Sequence, residues 1–326
     1  MVQLIQQVCE QVLKGRAISR QTALQLASCP EQTALYAAAD AVRRHFMGTR
    51  FHLCSIVNAR SGNCTENCRF CAQSARYQTG VMTYELIEKQ KAITIAQDSD
   101  NHGVDRLSLV TSGHSVGRQT LEQLATLYTA IKQQTNMSLC ASMGFLDADK
   151  AGYLAGIGVS RYHCNLEASA KAFPKICTTH TWEQKVATLN IAAQAGMSRC
   201  SGGIIGMGES MEERINLALE LRQLAIHSIP VNILTAIPGT PLARLPRLPL
   251  HEVLTTLALF RLINPDAVIR MAGGRQLLGD EQYRCFSSGA NGAIVGNFLT
   301  TTGSSIDKDI TTLQAMGYTF KRIRNT

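Results

Sequence analysis

Three cysteines stand close together at Cys64, Cys68 and Cys71, in the run Cys-Thr-Glu-Asn-Cys-Arg-Phe-Cys. Three thiolates can hold three irons of a [4Fe–4S] cube, which normally takes four Cys ligands. The fourth iron would then be open to a ligand from outside the protein. A structural zinc site is the alternative, but zinc sites usually have four protein ligands in paired spacings, and no second Cys pair lies nearby. The spacing favours an iron–sulfur cluster with one open position.

The composition limits the classes of function. The 326 residues carry 32 Lys+Arg against 24 Asp+Glu, a net charge of +8. The basic residues are scattered, which is more typical of a solvated surface than of a nucleic-acid interface. Residues 1–13 lack the continuous apolar stretch of a signal peptide or a membrane span. With 11 cysteines, an odd count, we expect a cytoplasmic protein whose clustered cysteines serve metal binding or catalysis rather than disulfides.

Short apolar runs alternate with longer amphipathic stretches from residue 51 onward. The predicted strands are 51–57, 106–110, 138–143, 161–166, 198–205, 230–236, 268–271 and 293–295. Predicted helices between them include 121–133, 182–195, 211–225 and 251–263. Eight strands that alternate with helices predict an α/β fold of the (β/α)8 TIM-barrel type. An open, doubly wound sheet would give the same alternation and is the structural alternative.

The first 50 residues lack this alternation and are predicted to be helical. Ser19 is a candidate N-cap for a helix over 20–27, and a second helix is predicted over 31–47. No linker or internal repeat divides the rest of the chain. We therefore predict an N-terminal helical extension over 1–50 and one catalytic barrel domain over 51–326.

The cysteine motif and its surroundings resemble a known family. The aromatic Phe70 directly before Cys71 fits the radical S-adenosylmethionine (SAM) pattern. The segment 61–80 resembles biotin synthases, whose members carry Gly-x-Cys-x-Glu-x-Cys-x-aromatic-Cys-x-Gln-Ser. Further matching segments are 162–167, 200–209, 230–234, 239–243, 269–275 and 289–291. The matches run in unbroken order over about residues 52 to 310, which makes the resemblance far more specific than the cysteine triplet alone.

The resemblance implies a cofactor set, a reaction and partners. SAM would chelate the open iron through its amino and carboxylate groups, and an electron from the cluster would release methionine and a 5′-deoxyadenosyl radical. The family uses this chemistry to insert sulfur at unactivated carbons of dethiobiotin. It also implies a flavodoxin- or ferredoxin-type electron donor and a homodimer. No nucleic acid or membrane partner is expected.

The resemblance also assigns residues to SAM. Ile204 and its neighbours, with Gly202, match the element that lies along the adenine, and Phe70 belongs to the cluster motif. Glu167 matches the acidic position that binds the ribose of SAM. Asn165 and Glu167 alternate on the fourth predicted strand, so their side chains should share one face.

Other positions match substrate contacts of the family. Asn165 matches a polar residue between SAM and dethiobiotin. Asn232 fits hydrogen bonding to the neutral ureido ring, because an amide both donates and accepts. Thr301 and Thr302 are candidates for binding the substrate carboxylate.

Biotin synthases carry a second, deeper cluster that donates sulfur, commonly [2Fe–2S] held by three Cys and an Arg. Cys140, Cys200 and Arg270 match three of those positions, whereas the fourth falls at Ser108. Cys54 is a candidate substitute, because Cys54, Cys140, Cys200 and Arg270 fall on predicted strands one, three, five and seven, and alternate strands form one layer inside a barrel. The alternative is that Cys54 is a small buried apolar residue. The changed ligand set leaves the auxiliary cluster open between [2Fe–2S] and a larger type.

The remaining candidates have no assigned role. Cys9, Cys29, Cys177 and Cys285 are interpreted as structural or incidental, because they have no companions at metal-ligand spacing. His52, His114 and His180 are also unassigned. Two competing functions stay open: a related radical SAM enzyme of the maturase or mutase type, and a non-catalytic iron–sulfur or zinc protein.

Overall fold

A computed structural model of the chain describes residues 1–296 and 305–321. In this described part, nine strands form one sheet in which every pair is parallel. The strands are β1 His52–Arg60, β2 Arg106–Thr111, β3 Ser138–Ser142, β4 Val159–His163, β5 Ser198–Cys200, β6 Gly203–Ile205, β7 Ser228–Ile233, β8 Val268–Met271 and β9 Gly292–Ile294. The order is β5-β4-β3-β2-β1-β9-β8-β7-β6. The two end strands are thus consecutive in the chain.

The sheet closes into a barrel through the segment that joins β5 to β6. The amide of Ser201 donates to the carbonyl of Ser228 at 3.0 Å, on the β7 side. On the β4 side, the amide of Glu167 donates to the carbonyl of Gly202, and the amide of Ile204 donates to the carbonyl of Glu167, both at 3.0 Å. The eight-stranded (β/α)8 prediction is therefore confirmed, and the open doubly wound alternative is wrong. The predicted fifth strand, 198–205, is interrupted at Ser201 and Gly202 to give β5 and β6.

Close approach of the neighbouring backbones requires glycine at this interruption. A Cβ on Gly202 would overlap the carbonyl of Pro230 on β7, and a Cβ on Gly203 would overlap the carbonyl of Glu167. The two backbones on either side approach too closely for any side chain. The Gly-Gly pair in the resemblance motif thus serves barrel closure.

Helices surround the barrel and extend its N-terminal side. They are α1 Val2–Leu13, α2 Arg20–Ala27, α3 Gln32–Met47, α4 Lys89–Asn101, α5 Arg118–Gln134, α6 Ala148–Gly156, α7 Trp182–Gln194, α8 Met211–Gln223, α9 Leu250–Ile263 and α10 Ile306–Ala315. The start of α7 is fixed by a capping box between Thr181 and Gln184, and that of α8 by one between Ser210 and Glu213. Helix α3 covers α9, whose residues 253–263 are all buried. None of the helices in residues 1–296 and 305–321 is long and apolar enough to cross a membrane.

The fourth strand ends earlier than its sequence predicts. The expected range was 161–166, whereas β4 is Val159–His163. Asn165 and Glu167 therefore lie after the strand, and Glu167 has a φ of 69°. The prediction that the two residues alternate on a strand is wrong, because β4 ends at His163.

A buried arginine ties the last strand to the helical layer. Arg261 on α9 donates to the carbonyls of Gly289 at 2.8 Å and Ala267 at 2.7 Å, and to Oδ1 of Asn291 at 2.8 Å. The same Oδ1 accepts from the amide of Ile269 at 3.0 Å. Asn291 is fully buried. This explains the Gly-Ala-Asn match at 289–291 as a structural one.

We predict that Asn291→Ala lowers the free energy of unfolding by about 2–4 kcal/mol, because two buried donors lose their acceptor. Urea denaturation of the two proteins measures the difference. Asn101→Ala, at the exposed end of α4, is the control and should stay within about 0.5 kcal/mol of the parent. Equal effects of the two substitutions would show that the Arg261–Asn291 contact contributes nothing specific.

Candidate functional site

One cavity of about 450 Å³ opens at the end of the barrel that holds the carboxyl ends of the strands. The cavity continues into the barrel interior. Side chains of the cysteine loop line its mouth, and inward-facing side chains of the strands line its floor. The lining includes Cys54, Cys64, Cys68, Phe70, Cys71, Ser108, Cys140, Asn165, Glu167, Lys185, Cys200, Ile204, Asn232 and Arg270. In (β/α)8 barrels, catalytic residues sit at this end of the strands. The cavity is therefore the candidate active site.

The cysteine loop follows β1 and folds back on itself. The amide of Cys64 donates to the carbonyl of Gln73 at 3.0 Å, and the amide of Ala75 returns a bond to the carbonyl of Cys64 at 2.7 Å. The amide of Cys71 donates to the carbonyl of Cys68 at 3.0 Å. This folding brings all three motif cysteines into the lining of the cavity. Burial raises the pKa of Cys71 to about 11, and a bound metal ion would stabilise its thiolate. Three inward-facing thiols without disulfide partners fit a cluster with one open iron.

Glu66 anchors this loop to the segment before α7. Its carboxylate lies 2.7 Å from Nδ1 of His114 and 2.5 Å from Nδ1 of His180, and it accepts a short bond from Thr179. Burial alone would raise the pKa of Glu66, but the bonds from His180, Thr179 and His114 lower it to about 2. His114 and His180, two of the three histidines without a role assigned from the sequence, thus hold the cysteine loop in place.

Cys177 was interpreted as structural, and the structure corrects this. Its Sγ lies 3.6 Å from Sγ of Cys68 and 3.4 Å from Nδ1 of His180. The short Cys177-x2-His180 spacing is a metal-ligand signal that the sequence interpretation overlooked. The proximity to Cys68 depends on the fold, since 109 residues separate the two cysteines.

Lys185 is a second residue that sequence reasoning missed. It lies on α7 and lines the cavity. Burial opposes its charge, but Cys164, Glu167 and Cys68 nearby raise the pKa of Lys185. In the described residues, no carboxylate lies within ion-pair distance of the Lys185 ammonium. A cation held at a cavity wall without an ion-pair partner favours an anionic ligand.

The residues expected to contact SAM lie near the mouth, with one exception. Phe70, Asn165, Glu167 and Ile204 line the cavity, whereas Gly202 does not and instead donates its amide to Oδ1 of Asn165 at 3.0 Å. Oε2 of Glu167 is buried without a hydrogen-bond partner, and burial raises the pKa of this carboxyl. An orphaned carboxylate oxygen at a cavity wall fits the hydroxyl donors of a ribose.

Asn232 is held by the backbone and still has capacity to bind a ligand. Its Oδ1 accepts from the amide of Gly273 at 2.9 Å, and its Nδ2 donates to the carbonyl of Gly203 at 3.3 Å. An amide has two donor hydrogens and two acceptor lone pairs, so one of each remains for the cavity. Thr301 and Thr302 lie outside the described residues.

The deep part of the cavity brings together Cys54, Cys140, Cys200 and Arg270. In barrel order these residues come from strands one, three, five and seven, as the sequence predicted, because β5 and β6 together count as the fifth strand. Ser108 lines the same region, pairs in register with Cys140, and has an Oγ without a hydrogen-bond partner. Cys54 and Ser108 therefore both line the cavity, from the neighbouring strands β1 and β2.

Positive charge surrounds these thiols. Arg106 donates to Sγ of Cys140 at 3.6 Å, and His163 Nδ1 lies 3.4 Å from Sγ of Cys200. Burial opposes ionisation of Cys200, but His163, Arg270 and Arg161 lower its pKa to about 6. Burial raises the pKa of Cys54.

The three arginines are themselves left without anions. Arg270 donates to Oγ of Ser228 at 3.0 Å while its Nε has no partner. Among the described residues, no carboxylate lies within ion-pair distance of Arg106, Arg161 or Arg270. Thiols next to unpaired guanidinium groups are a donor set that fits an anionic iron–sulfur group.

Comparison with solved structures supports the fold. The crystal structure of methylornithine synthase aligns with a TM-score of 0.82 at 19% identity, covering 97% of each chain. The FeFe-hydrogenase maturase HydG from Carboxydothermus hydrogenoformans aligns with a TM-score of 0.79 at 18% identity, covering 96% of this chain and 78% of its own. At such identities the likeness concerns the fold and not the reaction.

Comparison of sequences is more specific. Residues 59–221 match the Radical SAM superfamily, and residues 230–319 match the Biotin and Thiamin Synthesis associated domain. A biotin synthase from Desulfotalea psychrophila is 52% identical over 83% of this chain and 81% of its own. Biotin synthase 2 from Corynebacterium diphtheriae is 48% identical over 97% of this chain and 96% of its own. The chain belongs to the biotin synthase family and is a radical SAM enzyme.

Proposed function

We propose that this enzyme forms biotin by inserting sulfur into dethiobiotin, with one cluster at the cavity mouth and a second one inside the barrel. One observation carries the proposal: a single cavity joins the three cysteines of the radical SAM motif to Cys54, Cys140, Cys200 and Arg270. A substrate between the two groups would face a radical source on one side and a sulfur source on the other. The alternative function of a mutase or a maturase does not explain the deeper thiols of Cys54, Cys140 and Cys200.

Cys64, Cys68 and Cys71 would hold the [4Fe–4S] cluster. When bound, this cluster and SAM supply the carbon-radical chemistry that removes hydrogen from unactivated carbons. The chain's own part is to hold three thiols at one wall, to stiffen the loop through Glu66, and to keep bulk water from the reacting atoms. Phe70 contributes apolar surface to the same wall.

Glu167, Asn165 and Lys185 would orient SAM. The orphaned Oε2 of Glu167 accepts from the ribose hydroxyls. Lys185 pairs with the carboxylate of SAM, because it is a cavity cation without a carboxylate partner of its own in the described part of the chain. Ile204 lies against the adenine from β6. Gly202 contributes indirectly, since its amide fixes the side chain of Asn165.

Asn232 would position dethiobiotin through its free donor and acceptor, which match the N–H and carbonyl of a urea. Asn165 lies on the SAM side of this position. Thr301 and Thr302 are proposed to bind the substrate carboxylate.

The auxiliary cluster would be held by Cys54, Cys140, Cys200 and Arg270. Thiolates are the standard ligands of such clusters, whereas the hydroxyl of Ser108 is a poor iron ligand unless it is deprotonated. Moving one thiolate from the second to the first strand changes the shape of the ligand set. The cluster is therefore either [2Fe–2S] or a larger type.

We further propose that the enzyme works in the cytoplasm as a homodimer. The radical reaction requires an electron from outside the chain, and we propose a flavodoxin or ferredoxin as the donor. The scattered charge of +8 suits an acidic protein of this kind.

Cys68→Ala is expected to abolish 5′-deoxyadenosine formation, because two thiolates cannot retain the cluster at the mouth. Anaerobic incubation with SAM and dithionite, followed by chromatography of the nucleoside, measures the loss. Cys9→Ala removes a half-buried cysteine of α1, remote from the cavity, and should keep the parent rate. A Cys68→Ala protein that cleaves SAM at that rate would refute the assignment.

Dethiobiotin is expected to stimulate SAM cleavage, and Asn232→Ala should weaken this effect. The loss of one buried hydrogen-bond partner corresponds to about 1–3 kcal/mol in the apparent affinity for dethiobiotin. A titration of 5′-deoxyadenosine yield against dethiobiotin gives this affinity for both proteins. Cleavage without dethiobiotin should be equal in the two and serves as the control. A parent enzyme that does not respond to dethiobiotin would contradict the substrate assignment.

Cys54→Ala is expected to lose auxiliary iron and biotin formation while it keeps the cluster at the mouth and uncoupled SAM cleavage. Ser108→Ala, on the neighbouring strand β2 and in the lining of the same cavity, is the matched control and should be far milder. Iron and sulfide analysis with Mössbauer spectra distinguishes the two clusters. A Cys54→Ala protein with its auxiliary cluster intact would return the fourth ligand to Ser108 or to another residue.

A further inference from the structure

A second set of metal-ligand atoms lies beside the cluster loop and shares one residue with it. Cys177 and His180 follow the short 3-10 turn Phe173–Lys175, and their side chains meet Cys68 from the other loop. Sγ of Cys68, Sγ of Cys177 and Nδ1 of His180 all lie within 4.8 Å of one another. Cys177 and His180 are buried, and Cys68 is half-buried. The proposed function uses only Cys68 of these three.

The distances match a tetrahedral metal site. Zinc–sulfur bonds of about 2.3 Å and zinc–nitrogen bonds of about 2.0–2.1 Å place neighbouring ligand atoms about 3.5–3.8 Å apart. The observed separations are 3.6 Å between the two sulfurs and 3.4 Å between Sγ of Cys177 and Nδ1 of His180. Ligands of a [4Fe–4S] cube lie on separate irons and are not expected at such short separation.

Glu66 is the candidate for the fourth ligand. Oε2 of Glu66 lies 2.5 Å from Nδ1 of His180, and Glu66 is two residues before Cys68. A small rotation of this carboxylate would complete a set of two thiolates, one imidazole and one carboxylate. Two pairs of ligands at short spacing on two loops are typical of zinc sites.

We propose that Cys68, Cys177, His180 and Glu66 bind one thiophilic divalent cation, best Zn²⁺, whenever Cys68 carries no iron. Binding releases the thiol protons of Cys68 and Cys177 to solvent. His180 would bind through Nδ1 in the tautomer that carries its proton on Nε2, which is buried and has no hydrogen-bond partner. The cation replaces the hydrogen bonds that now hold these four side chains together.

This site excludes the cluster at the mouth, and here the inference rests on the proposed function. Cys68 cannot give its thiolate to zinc beside Cys177 and also to an iron beside Cys64 and Cys71. A bound zinc ion would therefore hold the cysteine loop of the cluster-free enzyme in its folded conformation. The same ion would prevent assembly of the [4Fe–4S] cluster.

Zinc titration of the full-length, cluster-free chain against a chromophoric chelator tests the site. We expect one tight site per chain, and an affinity at least about 100-fold lower in Cys177→Ala, Cys177→Ser and His180→Ala. Cys71→Ala is the matched control, because it removes a thiol of the same loop from the cluster set alone and should bind zinc like the parent. Equal losses in Cys71→Ala and Cys177→Ala would overturn the proposal, as would unchanged affinity in Cys177→Ala.

The cobalt form provides a second measurement that does not depend on any variant. The intensity of thiolate-to-cobalt charge transfer should correspond to two thiolates, in tetrahedral geometry. Three thiolates would assign the ion to Cys64, Cys68 and Cys71 instead, and would contradict the site.

Reconstitution with iron and sulfide tests the exclusion. Zinc-loaded parent protein should gain less of the mouth cluster than zinc-free protein, whereas Cys177→Ala should assemble it equally with and without zinc. A Cys177→Ala protein that cannot assemble the cluster even without zinc would refute the exclusion and make Cys177 part of the cluster site. The zinc titration requires neither SAM nor a cluster, so failure of the proposed function would leave its result unaffected.

Discussion

Unpaired positive charge inside the barrel is the constraint on which the site depends. Arg106, Arg161 and Arg270 face the cavity, and within the described residues none has a carboxylate at ion-pair distance. A buried guanidinium without an anion destabilises the folded state. Binding of a negatively charged group inside the barrel is therefore favourable. The thiols of Cys140 and Cys200 are the groups in reach, and an iron–sulfur cluster turns them into permanent thiolates. The same charges that would destabilise an empty barrel thus stabilise one that holds a cluster.

The closure of the barrel sets where the two ends of the cavity lie. Because the backbone at Ser201 and Gly202 bonds to β7 on one side and to the segment after β4 on the other, the sheet closes around one cavity that opens at the carboxyl ends of the strands. The cysteine loop leaves β1 at its carboxyl end, whereas Cys54 lies six residues before Arg60 on the same strand. One strand therefore supplies both a deep thiol and the loop at the mouth. The two proposed clusters would therefore lie at different depths of the same cavity.

The sequence predicted the repeating parts well and the irregular parts poorly. The strand–helix alternation located all eight barrel strands, and strand parity placed Cys54 with Cys140 and Cys200, since both follow from regular periods. The predicted end of β4 is wrong, because the strand ends at His163 and no local period marks that end; the left-handed backbone of Glu167 further on is equally invisible to a period. Gly202 is expected from the sequence to contact SAM. In the structure, the carbonyl of Pro230 on β7 lies too close for any side chain at this position, so glycine is required there by the fold. Lys185 and the contact between Cys68 and Cys177 depend on long-range packing, so spacing along the chain could not reveal them.

The central claim is that one cavity couples SAM cleavage to sulfur transfer from the deeper cluster. A single-turnover reaction tests it most directly: enzyme reconstituted with heavy-isotope sulfide is incubated anaerobically with SAM, a reductant and dethiobiotin, and the product is analysed by mass spectrometry. We expect biotin that carries the heavy sulfur, formed together with 5′-deoxyadenosine. SAM cleavage without biotin, or biotin that carries only light sulfur, would contradict it.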